Sequence, residues 1–114
     1  MSNDNPSIVP VSVTVTEEDG LYTAYYNPSP AILPGSGILQ FSLDTEGWAF
    51  GPISYSAPFS DLQIISPTEF TIADAGGPRN TTDSFSVVIV QRAVHRGASV
   101  TLDTDPEILN GPHV

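Results

Sequence analysis

The sequence contains no cysteine and no lysine, and both absences limit the chemistry available to the protein. Without cysteine the chain cannot form disulfides, carry a thiolate nucleophile or bind zinc through sulfur. The three Lys and Arg residues are all arginines, and they stand against thirteen acids, which gives a formal net charge of −10. Because such a surface repels polyanions, we expect nucleic acid and anionic membranes to be poor partners, and cations, basic proteins or neutral ligands to be favoured.

Long apolar runs are absent as well. No stretch approaches the roughly 18 consecutive apolar residues of a membrane span, so no transmembrane segment is predicted. Residues 1–6 have neither the basic nor the apolar region of a signal peptide, so the localisation is unknown, with the cytoplasm as the default expectation. A length of 114 residues predicts one domain.

Apolar and polar residues alternate through much of the chain, which is typical of half-buried strands. Residues 9–15 alternate valine with proline, serine and threonine, residues 17–20 are typical of a turn, and residues 21–26 continue as a second strand. Further alternating segments follow at residues 39–43, 48–55, 62–64, 70–72, 85–90 and 100–102. This pattern predicts an all-β fold, an immunoglobulin-like antiparallel β-sandwich of about 7–8 strands, with a small β-barrel as the alternative.

The predicted organisation is a flexible N-terminus (residues 1–7), a sandwich domain (8–102) and a polar C-terminal tail (103–114) that either wraps along the domain or projects from it. The proline-rich segment 27–37 is expected to form no regular element. Residues 9–15 are expected at a sheet edge, where an uncovered strand would pair with a second copy.

Three short motifs lie in the later part of the chain: Trp48-Ala49-Phe50, a long penultimate strand over residues 85–94, and the ending Asp105-Pro106-Glu107-Ile108-Leu109-Asn110-Gly111-Pro112. In these motifs the sequence resembles small uncharacterised bacterial β-sandwich proteins of the DP-EP type. The resemblance covers roughly the last two thirds of the chain. It implies the sandwich fold and no particular activity.

A second set of motifs resembles those of cadherin-type repeats: Ala73-Asp74-Ala75-Gly76-Gly77-Pro78, Leu43-Asp44-Thr45-Glu46 and Asn3-Asp4-Asn5-Pro6. The sequence departs from the cadherin pattern because its Asn-Asp-Asn run lacks the spacer before proline and no second repeat follows. The resemblance implies a calcium-stabilised module, and it raises the question of whether these loops hold a cation.

Calcium binds six to eight oxygens, which clustered carboxylates, amides and backbone carbonyls supply. The candidate metal ligands are acids in predicted loops: Asp44, Glu46, Asp74, Asp103, Asp105 and Glu107. The alternative is that acids at turns only keep the surface soluble. Calcium is therefore the one candidate cofactor, and otherwise none is expected.

No catalytic motif is present. The sequence has no Gly-x-Ser-x-Gly element, and its two histidines, His95 and His113, form no metal-binding motif. We therefore predict that the protein is not an enzyme and has no catalytic residues.

The predicted function is a binding or assembly module whose partner is another protein or a second copy, the chain being a monomer or a weak homo-oligomer. Candidate partner-binding residues are Ile32, Leu33, Tyr22, Tyr26 and Arg79. Exposed apolar residues in a proline-rich loop would mark a contact surface. Besides the calcium-stabilised module, a second alternative is carbohydrate binding by Tyr22 and Tyr26, which requires that both rings be exposed to solvent.

Overall fold

A computed structural model describes residues 7–92 and 100–111, and these residues form strands joined by turns, without a helix. The strands are β1 (Ser7–Glu18), β2 (Leu21–Asn27), β3 (Ala31–Leu33), β4 (Gly37–Leu43), β5 (Trp48–Ser54), β6 (Phe59–Ser66), β7 (Glu69–Asp74), β8 (Thr82–Ser84), β9 (Ser86–Gln91), β10 (Thr101–Thr104) and β11 (Glu107–Asn110).

The strands form three sheets. One has five strands in the order β2-β1-β4-β7-β6, and the other two have three strands each, in the orders β10-β9-β5 and β3-β11-β8. The all-β, sandwich-like prediction is confirmed. The small β-barrel is wrong, because none of the three sheets closes on itself within the described residues.

Alternation along each strand decides which side chains enter the core. Val11, Val13 and Val15 of β1 are buried, whereas the residues between them are exposed or half-buried. The predicted hairpin over residues 9–26 is confirmed by the antiparallel pairing of β1 with β2. Its turn uses left-handed backbone at Asp19 (φ 53°) and Gly20 (φ 81°), which is why a short polar residue and a glycine stand there.

Phenylalanine rings join the five-stranded sheet to the opposite layer. Phe70 of β7 stacks on Phe41 of β4 with ring centroids 4.8 Å apart. Its ring also meets Phe50 of β5 edge-on at 4.8 Å, and Phe85, which lies between β8 and β9, at 6.3 Å. Aromatic pairs of this kind contribute roughly 0.5–1.5 kcal/mol in addition to the free energy gained by burying their apolar area. These four rings form the centre of the core.

The edge position predicted for residues 9–15 is wrong. In the structure β1 lies inside its sheet, antiparallel to β2 on one side and parallel to β4 on the other. The pairings β1–β4 and β3–β11 are parallel, whereas the other described pairings are antiparallel. Side-chain alternation reports which face of a strand is buried and is the same for an edge strand and an interior one, so the sequence did not reveal this position.

The proline-rich segment 27–37 contains a strand that the sequence analysis excluded. Ala31 and Leu33 are buried on either side of the exposed Ile32, and β3 pairs in parallel with β11. The prolines flank this three-residue strand rather than interrupt it, so their missing N–H groups cost no pairing inside it.

Residues 103–111, predicted as a polar tail that either wraps along the domain or projects from it, are paired with strands of the domain. Ile108 of β11 is completely buried, and β11 pairs with both β3 and β8. The structure does not describe residues 1–6, 93–99 and 112–114. His95 and the end of the long strand predicted over residues 85–94 therefore lie outside the described residues.

Candidate functional site

The acids predicted to share a metal lie at opposite ends of the five-stranded sheet. Asp44 follows the last residue of β4, and its carboxylate accepts the hydroxyl of Thr14 at 2.9 Å. Asp74 pairs with Gly37, the first residue of β4. Since a seven-residue strand spans about 20 Å, Asp44 and the exposed Glu46 beside it cannot share an ion with Asp74.

The other three predicted ligands lie on β10, on β11 and in the short connection between them. Asp103 is exposed on β10, Asp105 accepts the hydroxyl of Ser86 at 3.2 Å, and Glu107 is exposed on β11. Across residues 7–92 and 100–111, no three His, Cys, Asp or Glu side chains come together as a metal site. The six acids therefore do not form one centre.

Asp74 instead lies beside a group that the sequence did not reveal. Asn110 is hydrogen-bonded to Asp83, and the loop that follows Asp74 packs on both, since a Cβ at Gly77 would lie 2.9 Å from Asn110 Nδ2 and 3.6 Å from Asp83 Oδ2. Asp74, Asp83 and Asn110 are referred to below as the Asp74 cluster. The Asn110 amide nitrogen donates to Asp83 Oδ2 at 2.6 Å and to Thr81 Oγ1 at 3.0 Å. Asp74 Oδ1 accepts the backbone N–H of Gly76 at 2.7 Å. Asp74 and Asn110 are each only 1% exposed, so both side chains are buried polar groups.

Backbone bonds fix the loop around this cluster. The N–H of Asn80 donates to the carbonyl of Asn110 at 2.9 Å, and the N–H of Asn110 donates to the carbonyl of Thr81 at 2.8 Å. Gly76 has φ 86°, and a Cβ at this residue would lie 2.9 Å from the carbonyl oxygen of Gly35. Glycine is therefore required where the loop after β7 passes the loop before β4.

The electrostatics of the cluster are unfavourable as it stands. Burial raises the pKa of Asp74 above its ordinary value of 3.8, and the nearby Asp83 carboxylate raises this pKa further, whereas the hydrogen bond from Gly76 opposes the shift. Two buried oxygens, Asp74 Oδ2 and Asn110 Oδ1, have no hydrogen-bond partner. An unpartnered buried polar group destabilises the fold by roughly 1–3 kcal/mol.

The predicted partner-binding residues are only partly available to a partner. Ile32 is 52% exposed and Arg79 is exposed, whereas Leu33 is fully buried in the core. Tyr22 and Tyr26 are half-buried: the ring of Tyr22 lies 5.2 Å from that of Trp48, and the ring of Tyr26 lies 5.9 Å from that of Phe41. The two rings therefore do not meet the exposure that carbohydrate binding requires.

A further apolar surface was missed, on strand β6. Ile64 and Ile65 are 61% and 58% exposed, next to a register shift between Ile64 and Ser66 in the pairing with β7. Two consecutive isoleucines interrupt strict alternation, and this signal in the sequence could have indicated that one of them faces solvent. Asn110 left a similar signal, as a polar residue two positions after the buried Ile108.

No protein-family model matches this sequence, and no curated protein matches it significantly. The resemblances based on short motifs therefore stay predictions. Within the residues that the structure describes, no pocket is found and no helix is long and apolar enough to cross a membrane.

Proposed function

We propose that this protein is a non-enzymatic binding module that takes up an extended segment of another protein along strand β6. The observation that carries the proposal is the adjacent pair of exposed isoleucines, Ile64 and Ile65, on the edge strand of the largest sheet. A peptide added to a sheet edge gains backbone hydrogen bonds, and side-chain pockets then give it specificity.

Strand β6 is the last strand of the five-stranded sheet within the described residues, so one side of its backbone is open to a further strand. The opposite edge, β2, is contacted by the other layer, because the hydroxyl of Tyr26 lies 2.6 Å from Thr104 Oγ1 of β10. Both β2 and β6 are terminal strands of this sheet within the described residues, and the adjacent exposed isoleucines are what distinguish β6.

The isoleucine pair differs from the other exposed apolar residues by being contiguous. Single apolar side chains on a surface are ordinary and need no function. The remaining large ones stand apart along the chain: Ile8, Leu21, Tyr25, Ile32 and Tyr55. Among the large apolar residues exposed in segments 7–92 and 100–111, only Ile64 and Ile65 are adjacent in sequence, and they lie where backbone pairing is available as well.

Charge favours a basic partner over a second copy. The chain carries a net charge of −10, and Asp61 is exposed on β6 itself. Two copies would repel each other, whereas a segment with arginine or lysine would be attracted.

The proposal also includes three expectations from the sequence. They are an immunoglobulin-like arrangement of the strands, a role in assembly, and contact with the partner by Ile32 and Arg79. Self-association is the competing form of the same function.

The test is titration of the full chain with a fluorescent synthetic peptide that alternates valine and arginine, read by anisotropy. We expect saturable binding, with protection of the β6 backbone amides from hydrogen exchange. Ile64→Thr and Ile65→Thr should each weaken binding by about tenfold, because each removes apolar contact at the edge. The matched control is Ile8→Thr, since Ile8 is 60% exposed on a different strand.

Three outcomes would overturn the proposal. They are the absence of saturable binding, an equal loss of affinity in Ile8→Thr, and equally tight binding of the peptide in which aspartate replaces arginine. Light scattering that finds a dimer, lost in Ile64→Thr, would replace the heterologous partner with a second copy.

A further inference from the structure

The structure contains two buried oxygens for which the protein supplies no donor. Asp74 Oδ2 and Asn110 Oδ1 are both unpartnered, although every other polar atom of these two side chains is bonded. Both atoms are acceptors, since one belongs to a carboxylate and the other to an amide carbonyl. What they lack is therefore a positively charged or proton-bearing group.

The orientation of the Asn110 amide is fixed by its neighbour. Its nitrogen faces Asp83 Oδ2 at 2.6 Å, and exchanging nitrogen and oxygen would place two acceptors against each other. The orphaned atom is therefore the oxygen. Because Asn110 is 1% exposed, bulk water does not satisfy this oxygen.

We propose that the Asp74 cluster, formed by Asp74, Asp83 and Asn110, binds a calcium ion. Calcium takes carboxylate, amide and backbone carbonyl oxygens together with water, and every side-chain donor in the cluster is an oxygen of the first two kinds. The absence of imidazole and thiolate from the cluster disfavours zinc. This inference is independent of the β6 proposal, because it requires no residue of the isoleucine pair.

Charge supports a cation over a neutral occupant. The cluster holds the carboxylates of Asp74 and Asp83, and the side-chain donor bonded to Asp83 is the neutral amide of Asn110. A divalent cation would allow both acids to ionise and would give the two orphaned oxygens a partner. The loop is already held to β11 by the backbone bonds of Asn80 and Asn110, so little ordering is needed on binding.

The test is calorimetric titration of the full chain, freed of metal with EDTA, with calcium chloride, together with thermal unfolding. We expect one calcium per chain and a rise in Tm of about 10 °C at a hundredfold excess over Kd. Asp74→Asn and Asp83→Asn should each weaken binding by about tenfold or more. Asp61→Asn, which removes an exposed acid outside the cluster, should bind calcium as the unaltered chain does.

A second measurement does not depend on variants. In the nitrogen-15-labelled protein, calcium should shift the side-chain amide signals of Asn110 while leaving those of the exposed Gln63 in place. The proposal is overturned if calcium produces neither heat nor a rise in Tm, or if Asp74→Asn responds as strongly as the unaltered chain. An equal rise in Tm with magnesium chloride would overturn the assignment to calcium.

Discussion

The hydroxyl of Tyr26 donates to Thr104 Oγ1 across a distance of 2.6 Å. The direction follows from Thr104, whose single hydroxyl proton is given to the carbonyl of Val87 at 2.7 Å, so that its oxygen is left to accept. This relay connects β2 of the five-stranded sheet to β10 and β9 in the opposite layer. Burial raises the pKa of Tyr26 to about 12.

Replacing Tyr26 by phenylalanine removes this connection and keeps the ring. We expect Tyr26→Phe to lower the free energy of unfolding by about 1 kcal/mol, because one largely buried hydrogen bond is lost. Urea denaturation measures the change. Tyr25→Phe is the matched control: Tyr25 is 57% exposed, so its stability should stay within about 0.5 kcal/mol of the unaltered chain. Equal losses in both variants would contradict the relay.

Alkaline pH should weaken the fold through the same residue. The pKa of Tyr26 rises from 10.0 in the unfolded chain to about 12 in the folded one, so its contribution is fully present below pH 10 and is lost between pH 10 and 12. Thermal unfolding across this range should show a falling Tm. In Tyr26→Phe the fall in Tm should be smaller than in the unaltered chain. Identical profiles of Tm against pH in the two proteins would contradict this role of Tyr26.

Asp74→Asn should stabilise the protein at neutral pH when a chelator is present. The folded-state pKa of Asp74 is raised, so the stability that the acid contributes is present below its unfolded pKa of about 3.8 and is lost as pH rises through the raised value. An uncharged amide does not incur this loss, so the variant should be the more stable of the two at neutral pH. Chemical denaturation at pH 7 and at pH 3 should show the advantage only at pH 7. With saturating calcium the order should reverse.

Gly111 should tolerate no side chain. A Cβ there would overlap with the Cα of Pro34 and lie 2.8 Å from the carbonyl oxygen of Leu33, and both are backbone atoms. Gly111→Ala should therefore separate β11 from β3 and cost about 3 kcal/mol. Gly35→Ala is the control, because nothing lies within 4 Å of the added methyl group. Thermal unfolding of both variants tests the prediction, and equal Tm values would refute it.

Phe70→Ala should be the most damaging of these substitutions, at about 3–5 kcal/mol, because it leaves a cavity beside Phe41, Phe50 and Phe85. Urea denaturation measures the loss. Ile64→Thr provides a comparison, since that side chain is 61% exposed and its removal should change stability by about 0.5 kcal/mol at most. A loss below about 1 kcal/mol in Phe70→Ala would show that the ring is not central to the core.

Several features of the fold were predictable because they are local. Alternation in residues 9–15 predicted the buried valines of β1, and the turn predicted within residues 17–20 is found between β1 and β2. The segment 21–26 was predicted as the second strand and forms β2. Each of these features depends on backbone preferences or burial within a few neighbouring residues.

The candidate sites depended on contacts distant in sequence. Asp83 meets Asn110 only because β8 pairs with β11, and the open edge of β6 exists only because β7 is its one partner among the described strands. The sequence by itself determined the strand class, the acidic surface and the inward faces, since side-chain period and charge are properties of the chain alone. Tertiary structure decided which strands are neighbours and which oxygens remain unpartnered. The reason is that every residue other than proline offers the same backbone N–H and C=O groups, so the sequence does not specify which strand they pair with.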